Sequence, residues 1–214
     1  MKSTGSLLNL RNFKTSEREI ADIIKAWLAV SAAFAILLTQ ADIPLFADGF
    51  WRSFNVNLII SSLTVGIGFL LHEIAHKIVA QKYGCSAEFR SFDSMLILAV
   101  AMSFTGFLFA APGAVMIQGR VSNSRNGKIS AAGPLVNIAL ALMFLMFILA
   151  GLATAGIFGN IIKYGFIVNS WLALFNLIPV WNFDGAKVFR WNKAYYFGIT
   201  AFSVLLVAGK KYIM

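Results

Sequence analysis

Apolar and polar positions fall along this chain in long blocks, not at the short spacings of a half-buried strand or a surface helix. The apolar blocks lie at 26–38, 56–81, 94–111, 129–150, 161–178 and 194–208. A helix needs about 20 apolar residues to cross a hydrocarbon layer of ~30 Å. The blocks therefore predict membrane-spanning helices over 17–40, 56–81, 129–150, 161–178 and 194–208. Ser16 with Glu19 ahead of the first block predicts a capping box, and Pro179 predicts a helix stop. Residues 1–15 read as a polar tail. Residues 41–54 read as a loop, with Trp51 placed to anchor at an interface. Residues 82–92 are polar. Pro112-Gly113 breaks the block at 94–111, Ala114–Val121 reads as a short extended piece, and Asn123–Gly127 carries turn chemistry. Gly151, Gly156 and Gly159 mark a tight turn. No repeat and no second domain is visible in 1–214.

Composition turns these blocks into a class. Apolar residues make up 59% of the chain and charged residues 13%, against about 45–50% and about 25% in soluble domains. A soluble fold of this make-up would expose large apolar patches. Residues 1–25 are polar and lack the pattern of a cleavable signal, so the first apolar segment is expected to remain as a span. The lone Cys85 has no cysteine partner for a disulfide or a CxxC site. The net charge of +9 sits at the ends of apolar segments and between them. That placement suits topology signalling and anionic headgroups and excludes a nucleic-acid partner.

The chemistry concentrates in His72-Glu73-Ile74-Ala75-His76. A four-residue spacing puts both imidazoles on one face of a helix, one turn apart, where both reach one tetrahedral zinc. Glu73 is placed to take a proton from zinc-bound water and pass it to a leaving amine. The chain has two histidines, and both are in this motif, inside an apolar span where ionisable groups are costly and usually functional. Catalytic zinc takes three protein ligands and keeps one open position, so a carboxylate must be the third. Asp184 stands out: it follows the Pro179 break, adjoins Gly185 and lies at the end of a span. Glu88 and Asp93 are the fallbacks.

Three motifs together, His72 to His76, Ala132-Gly133-Pro134-Leu135-Val136-Asn137, and Phe175-Asn176-Leu177-Ile178-Pro179 through Asp184-Gly185, resemble the site-2 protease family of intramembrane zinc metalloproteases, in the family's order and over about two thirds of the chain. The family often has proline two residues before the aspartate, where this chain has Asn182. The resemblance implies one Zn2+ per chain held by His72, His76 and Asp184, with Glu73 as the base and Asn176 positioning substrate or stabilising an oxyanion. It also implies a membrane-dipping β-hairpin ahead of the Gly-Pro-x-x-Asn span, at about 113–121. Gly133 and Pro134 read as packing and helix-opening residues.

Topology follows from that ligand set. His76 and Asp184 must lie at one depth, which fails if 94–111 crosses the membrane fully. Residues 93–121 are therefore expected to be re-entrant. All of the Lys and Arg residues except Arg52, Lys163, Lys210 and Lys211 then fall on one side, which the positive-inside rule makes cytoplasmic. The expected fold is an all-α polytopic membrane protein with five to six transmembrane helices and that re-entrant element. The expected function is hydrolysis of a peptide bond in a transmembrane helix of a protein substrate, in the lipid bilayer of the cell membrane. The N-terminus and the active-site opening face the cytoplasm, and Asn137, Asn176 and Asn182 line a wet pocket. A homo-oligomer is compatible with the sequence. A catalytically silent helix-binding relative and a zinc-dependent membrane transporter are the alternatives.

Overall fold

A computed structural model describes residues 7–10, 13–108 and 112–213. Two short antiparallel strands come first, β1 (Leu7–Leu10) and β2 (Phe13–Ser16). They fall within the expected polar tail, whose residues 1–6, 11 and 12 lie outside the described residues. Helix α1 (Glu17–Gln40) follows. The Ser16 hydroxyl accepts from the Glu19 amide at 3.2 Å, which is half of the expected capping box. The other half is missing because the Glu19 carboxylate is used elsewhere.

α1 packs as a membrane helix does, with small and polar residues inside and large apolar ones outside. Ala26, Ser31, Ala33, Ala35 and Thr39 are buried, while Ile20, Ile24 and Leu28 are exposed. The HExxH segment belongs to a longer helix than expected: α2 (Phe50–Ser61), a π-helical turn (Ser62–Gly66) and α3 (Ile67–Lys82) run without a break. Ser62 O in this turn accepts from the Ile67 amide and also from the Trp27 indole N–H at 3.1 Å.

Strand β3 (Ser86–Ser91) leads to the short helix α4 (Asp93–Ser103), and β4 (Gly113–Gln118) returns. β4 pairs antiparallel with β3, from Ser86 opposite Gln118 to Ser91 opposite Gly113. The polar stretch at 82–92 thus contains a strand, and the extended piece expected from 114 is its partner.

α5 (Asn123–Leu149) begins where turn chemistry was expected, because Ser122 caps it: its hydroxyl accepts from the Arg125 amide at 3.3 Å. Gly127 is tolerated in this first part because the Trp191 side chain packs where a Cβ would stand. α6 (Ile157–Asn176), α7 (Asp184–Trp191) and α8 (Lys193–Ile213) complete the chain. α5, α6 and α8 share a core of Ile138, Ala141, Phe166, Ala173 and Leu206. α7 is held on α5 through Ala131, Val188 and Tyr196.

Among the described residues, four helical stretches are long and apolar enough to cross a membrane: Glu17–Gln40, Phe50–Lys82, Asn123–Leu149 and Ile157–Asn176. They correspond to the first four expected spans. The fifth, 194–208, lies within α8, which is not one of the four.

One buried ion pair ties three elements together. Glu19 is fully buried. Its carboxylate accepts from Lys77 Nζ at 2.5 Å, Thr15 Oγ1 at 2.8 Å and the Phe89 amide at 2.9 Å. It thus joins α1 to α3 and β3. Removing one member of a buried pair costs about 3–5 kcal/mol, because the other charge stays desolvated. Glu19→Ala is therefore expected to lower thermal stability in detergent by that order. Glu19→Leu/Lys77→Met is expected to cost clearly less than the sum of its single changes. Calorimetry or intrinsic fluorescence on the purified chain reads both.

Candidate metal centre

Helix period places His72 and His76 on one face of α3, where both are buried. Their rings meet edge to face with centroids 4.6 Å apart. Each Nδ1 has a partner. His72 Nδ1 donates to Asn137 Oδ1 at 2.6 Å, and His76 Nδ1 donates to Ile129 O at 2.8 Å. Such bonds fix the ring and leave Nε2 as the metal-facing atom. Ile129 O lies beside a gap in the α5 ladder, since Pro134 has no N–H to give to Ser130 O.

Asp184, the first residue of α7, is brought to these two nitrogens. Its Oδ2 lies 3.3 Å from His72 Nε2 and 3.0 Å from His76 Nε2. The chain reaches this point by folding tightly over the end of α6. A Cβ at Gly185 would collide with the Leu177 carbonyl, so glycine allows the approach. Tyr196 Oη donates to the same carbonyl at 3.0 Å and braces the turn from α8. Lys187 Nζ stands 3.8 Å from the other Asp184 oxygen.

Four ligands about 2.0 Å from a tetrahedral zinc are separated by about 3.3 Å. The His–Asp spacings match that edge, and both nitrogens and the carboxylate are ordinary zinc donors. Gly133 on α5 supplies the room. A Cβ there would sit 2.5 Å from each Nε2, in the space an ion needs. Gly133 and Pro134 therefore do not open the span, as the sequence suggested. They lie in the interior of α5, and Gly133 borders the centre.

Glu73 is half-buried on the neighbouring face of α3. Its carboxyl and the two imidazoles lie within 4.8 Å of one another. The backbone of Val115 on β4 faces that carboxyl. Beside it is a cavity of about 180 Å³ between α1, α3 and the β3–β4 sheet, with Ile20, Ile23, Leu70, Ile74, Phe89 and Val115 in its lining.

The other expected residues fall elsewhere. The Asn176 side chain bonds back to its own helix, Nδ2 donating to Leu172 O at 2.9 Å. Asn182 is exposed. Asn137 is fully buried, with both ends of its amide bonded to protein groups. The fallback ligands are committed to cations: Glu88 pairs with Arg90, and Asp93 with Lys25 at 2.7 Å. That Lys25 contact, with help from Ser91, holds the exposed Asp93 carboxyl below the usual carboxylate range. Sequence reasoning missed Ile129, Gly133 as a neighbour of the centre, and Asn169. An asparagine in the middle of an apolar span was the signal for the last.

No protein-family model matches the chain, and no solved structure does. Curated relatives do. A Methanocaldococcus jannaschii protein named "Putative zinc metalloprotease MJ0611" is 38% identical over 183 residues, covering 84% of this chain and 87% of that protein. "Putative zinc metalloprotease Rip3" of Mycobacterium tuberculosis is 32% identical over 124 residues, 56% of this chain and 28% of that protein. A second M. jannaschii protein, "Zinc metalloprotease MJ0392", is 28% identical over 125 residues, 58% of this chain and 31% of that protein. These names imply Zn2+ as the cofactor, and the His72–Glu73–His76 group is one that could hold it. At the identity and coverage of the first relative, the chain belongs to the site-2 protease family of zinc metalloproteases.

Proposed function

We propose that the chain is an intramembrane zinc metalloendopeptidase that cuts a peptide bond in or near a transmembrane helix of a protein substrate. The observation that carries this reading is the Asp184 carboxylate at 3.3 and 3.0 Å from the two imidazoles of an apolar span. His72, His76 and Asp184 would hold the metal, and zinc held there would polarise a carbonyl and make water a better acid. Glu73 takes a proton from the attacking water as its oxygen bonds to the scissile carbonyl carbon. It then delivers that proton to the amide nitrogen as the C–N bond breaks.

The substrate must be extended to present its carbonyls, and β4 suits that need. One edge of β4 is taken by β3. A substrate strand added along the other would run past Glu73, since Val115 lies on β4 and lines the cavity beside it. The apolar lining suits an aliphatic or aromatic substrate side chain.

The re-entrant reading of 93–121 is supported by the β3–β4 register. With Ser91 opposite Gly113, the intervening chain leaves and returns at one point. The 11 residues of α4 rise about 16 Å, roughly half of the hydrocarbon thickness. Orientation is supported by charge. Arg125 stacks on Tyr83, joining the start of α5 to the end of α3. Lys128 stacks on Trp191 and Lys193 on Phe189, both near the Asp184 helix. Basic and aromatic groups at one end suit a cytoplasmic interface.

Purified chain incubated with a reporter transmembrane segment tests the reading. Chelation is expected to abolish cleavage. Glu73→Gln is expected to lose cleavage by at least ~10²-fold while keeping its zinc, and cleavage at the wild-type rate would sink the base assignment. Asp184→Ala is expected to lose bound zinc, and full stoichiometry in that variant refutes the ligand set. Gly133→Ala is expected to cut zinc content sharply, because its methyl group would stand in the metal's space, and metal analysis reads it directly. Single cysteines at 82 and 125 in a Cys85→Ser background are expected to label from the same side in vesicles. Labelling from opposite sides would show that 93–121 crosses.

A further inference from the structure

We propose that Asn169, in the middle of α6 and outside every motif above, is a positioning residue of the metal centre, acting through Asn137 to fix the tautomer of His72. This rests on the reading that His72 holds zinc. Both asparagines are almost completely buried, Asn169 at 1% exposure and Asn137 at 0%. The nitrogen and oxygen of both side-chain amides are engaged, and each bond dictates the next.

Asn169 Nδ2 donates to Gly165 O at 2.9 Å, one turn back on its own helix. Its Oδ1 must therefore face outward, where it accepts from Asn137 Nδ2 at 3.0 Å. The second Nδ2 hydrogen of Asn137 goes to Gly68 O on α3 at 3.2 Å. Asn137 is thus held with its oxygen toward His72. Turned over, it would set that oxygen against two acceptors, Gly68 O and Asn169 Oδ1. With the amide in its observed sense, His72 Nδ1 must be the N–H that donates at 2.6 Å, and Nε2 is left with its lone pair toward Asp184. The relay needs α3 and α6 in close contact. Gly68 allows this, since a Cβ there would stand 2.6 Å from Asn169 Oδ1.

Outer hydrogen-bond partners of metal-bound histidine typically change metal affinity by about 10–100-fold. Zinc affinity of the purified full chain, measured by chelator competition, tests the relay. Asn169→Leu keeps the branching of the side chain, in a larger group, and removes the relay, and is expected to weaken zinc binding about 10–100-fold. Asn169→Asp is the conservative rescue. A buried carboxyl held neutral by its surroundings donates to Gly165 O and still accepts from Asn137, so its affinity is expected within about threefold of wild type.

Ser170→Ala controls for mere destabilisation. Ser170 is equally buried on the same helix and donates to Phe166 O at 2.7 Å, outside the relay. It too is expected to stay within about threefold. Visible absorption of the cobalt-substituted chain reports ligand geometry, and is expected to shift in Asn169→Leu but not in Ser170→Ala. Wild-type affinity in Asn169→Leu, or an equal loss in Ser170→Ala, overturns the proposal. Should the leucine variant fail to fold, weak zinc binding in Asn169→Asp overturns it equally. A wild-type chain that takes up no zinc overturns the metal-centre reading itself, whereas normal uptake with an unaffected leucine variant overturns the relay alone.

Discussion

Inside an apolar bundle a polar atom has only other protein atoms to bond to, and leaving it unpaired costs several kcal/mol. That constraint organises this molecule. His72, His76 and Asp184 place three polar groups within 3.3 Å along the His–Asp contacts, and each must be supported from behind. Asn137 and Ile129 O complete the imidazoles, and Asn169 and Gly68 O complete Asn137. Such partners reach the centre only if backbones come close. Glycines stand at the approaches: Gly68 beside Asn169, Gly133 beside both rings, and Gly185 beneath the Asp184 turn.

The same helix carries a second polar stripe. Residues four apart share a face, so Glu73 and Lys77 form one row and His72 and His76 another, about 100° away. The histidine row turns toward α5 and α7. The Glu73–Lys77 row turns toward α1 and the sheet, where Lys77 meets the buried Glu19 and Glu73 borders the apolar cavity. α3 is thus pinned from two directions by different chemistry. The Glu19 cluster ties it to α1 and β3 without touching the histidines. Glu73 is thus offered to the cavity side, while His72 and His76 face Asp184 on the other.

Much of this was legible in the sequence for identifiable reasons. The HExxH spacing is a statement about helix geometry and survives any tertiary context. Asp184 could be chosen because acids are few and Pro179 and Gly185 flank the place where a chain must turn. The extended stretch after Pro112 was legible from that break. The failures are tertiary. Ser16 and Glu19 had the sequence of a capping box, but a buried lysine and a strand amide outbid the local bond. Ser122 starts α5 earlier than the apolar pattern did, since a cap acts ahead of the first apolar residue. Gly133 was read through its neighbour Pro134 as a helix opener, because nothing local shows that two imidazoles lie against it. Helix α7 is short and interleaves its apolar residues with Lys187 and Arg190, so block patterning passed over it.

The order of the ligands along the chain has an energetic consequence. Two come from α3 and can be presented as soon as that helix forms, because they are one turn apart. The third arrives only after α5 and α6 have been laid down and the chain has turned over Leu177. Without a cation, the carboxylate meets the two imidazoles directly beside the space that Gly133 leaves open. With one, the metal's binding energy stabilises whichever arrangement brings all three together. That arrangement is the closed contact of α7 on α5, through Val188, Ala131 and Tyr196. On the proposed ligand set, the site is also a clasp between α3 and α7. Its strength depends on how firmly the surrounding amides hold the rings before the aspartate arrives.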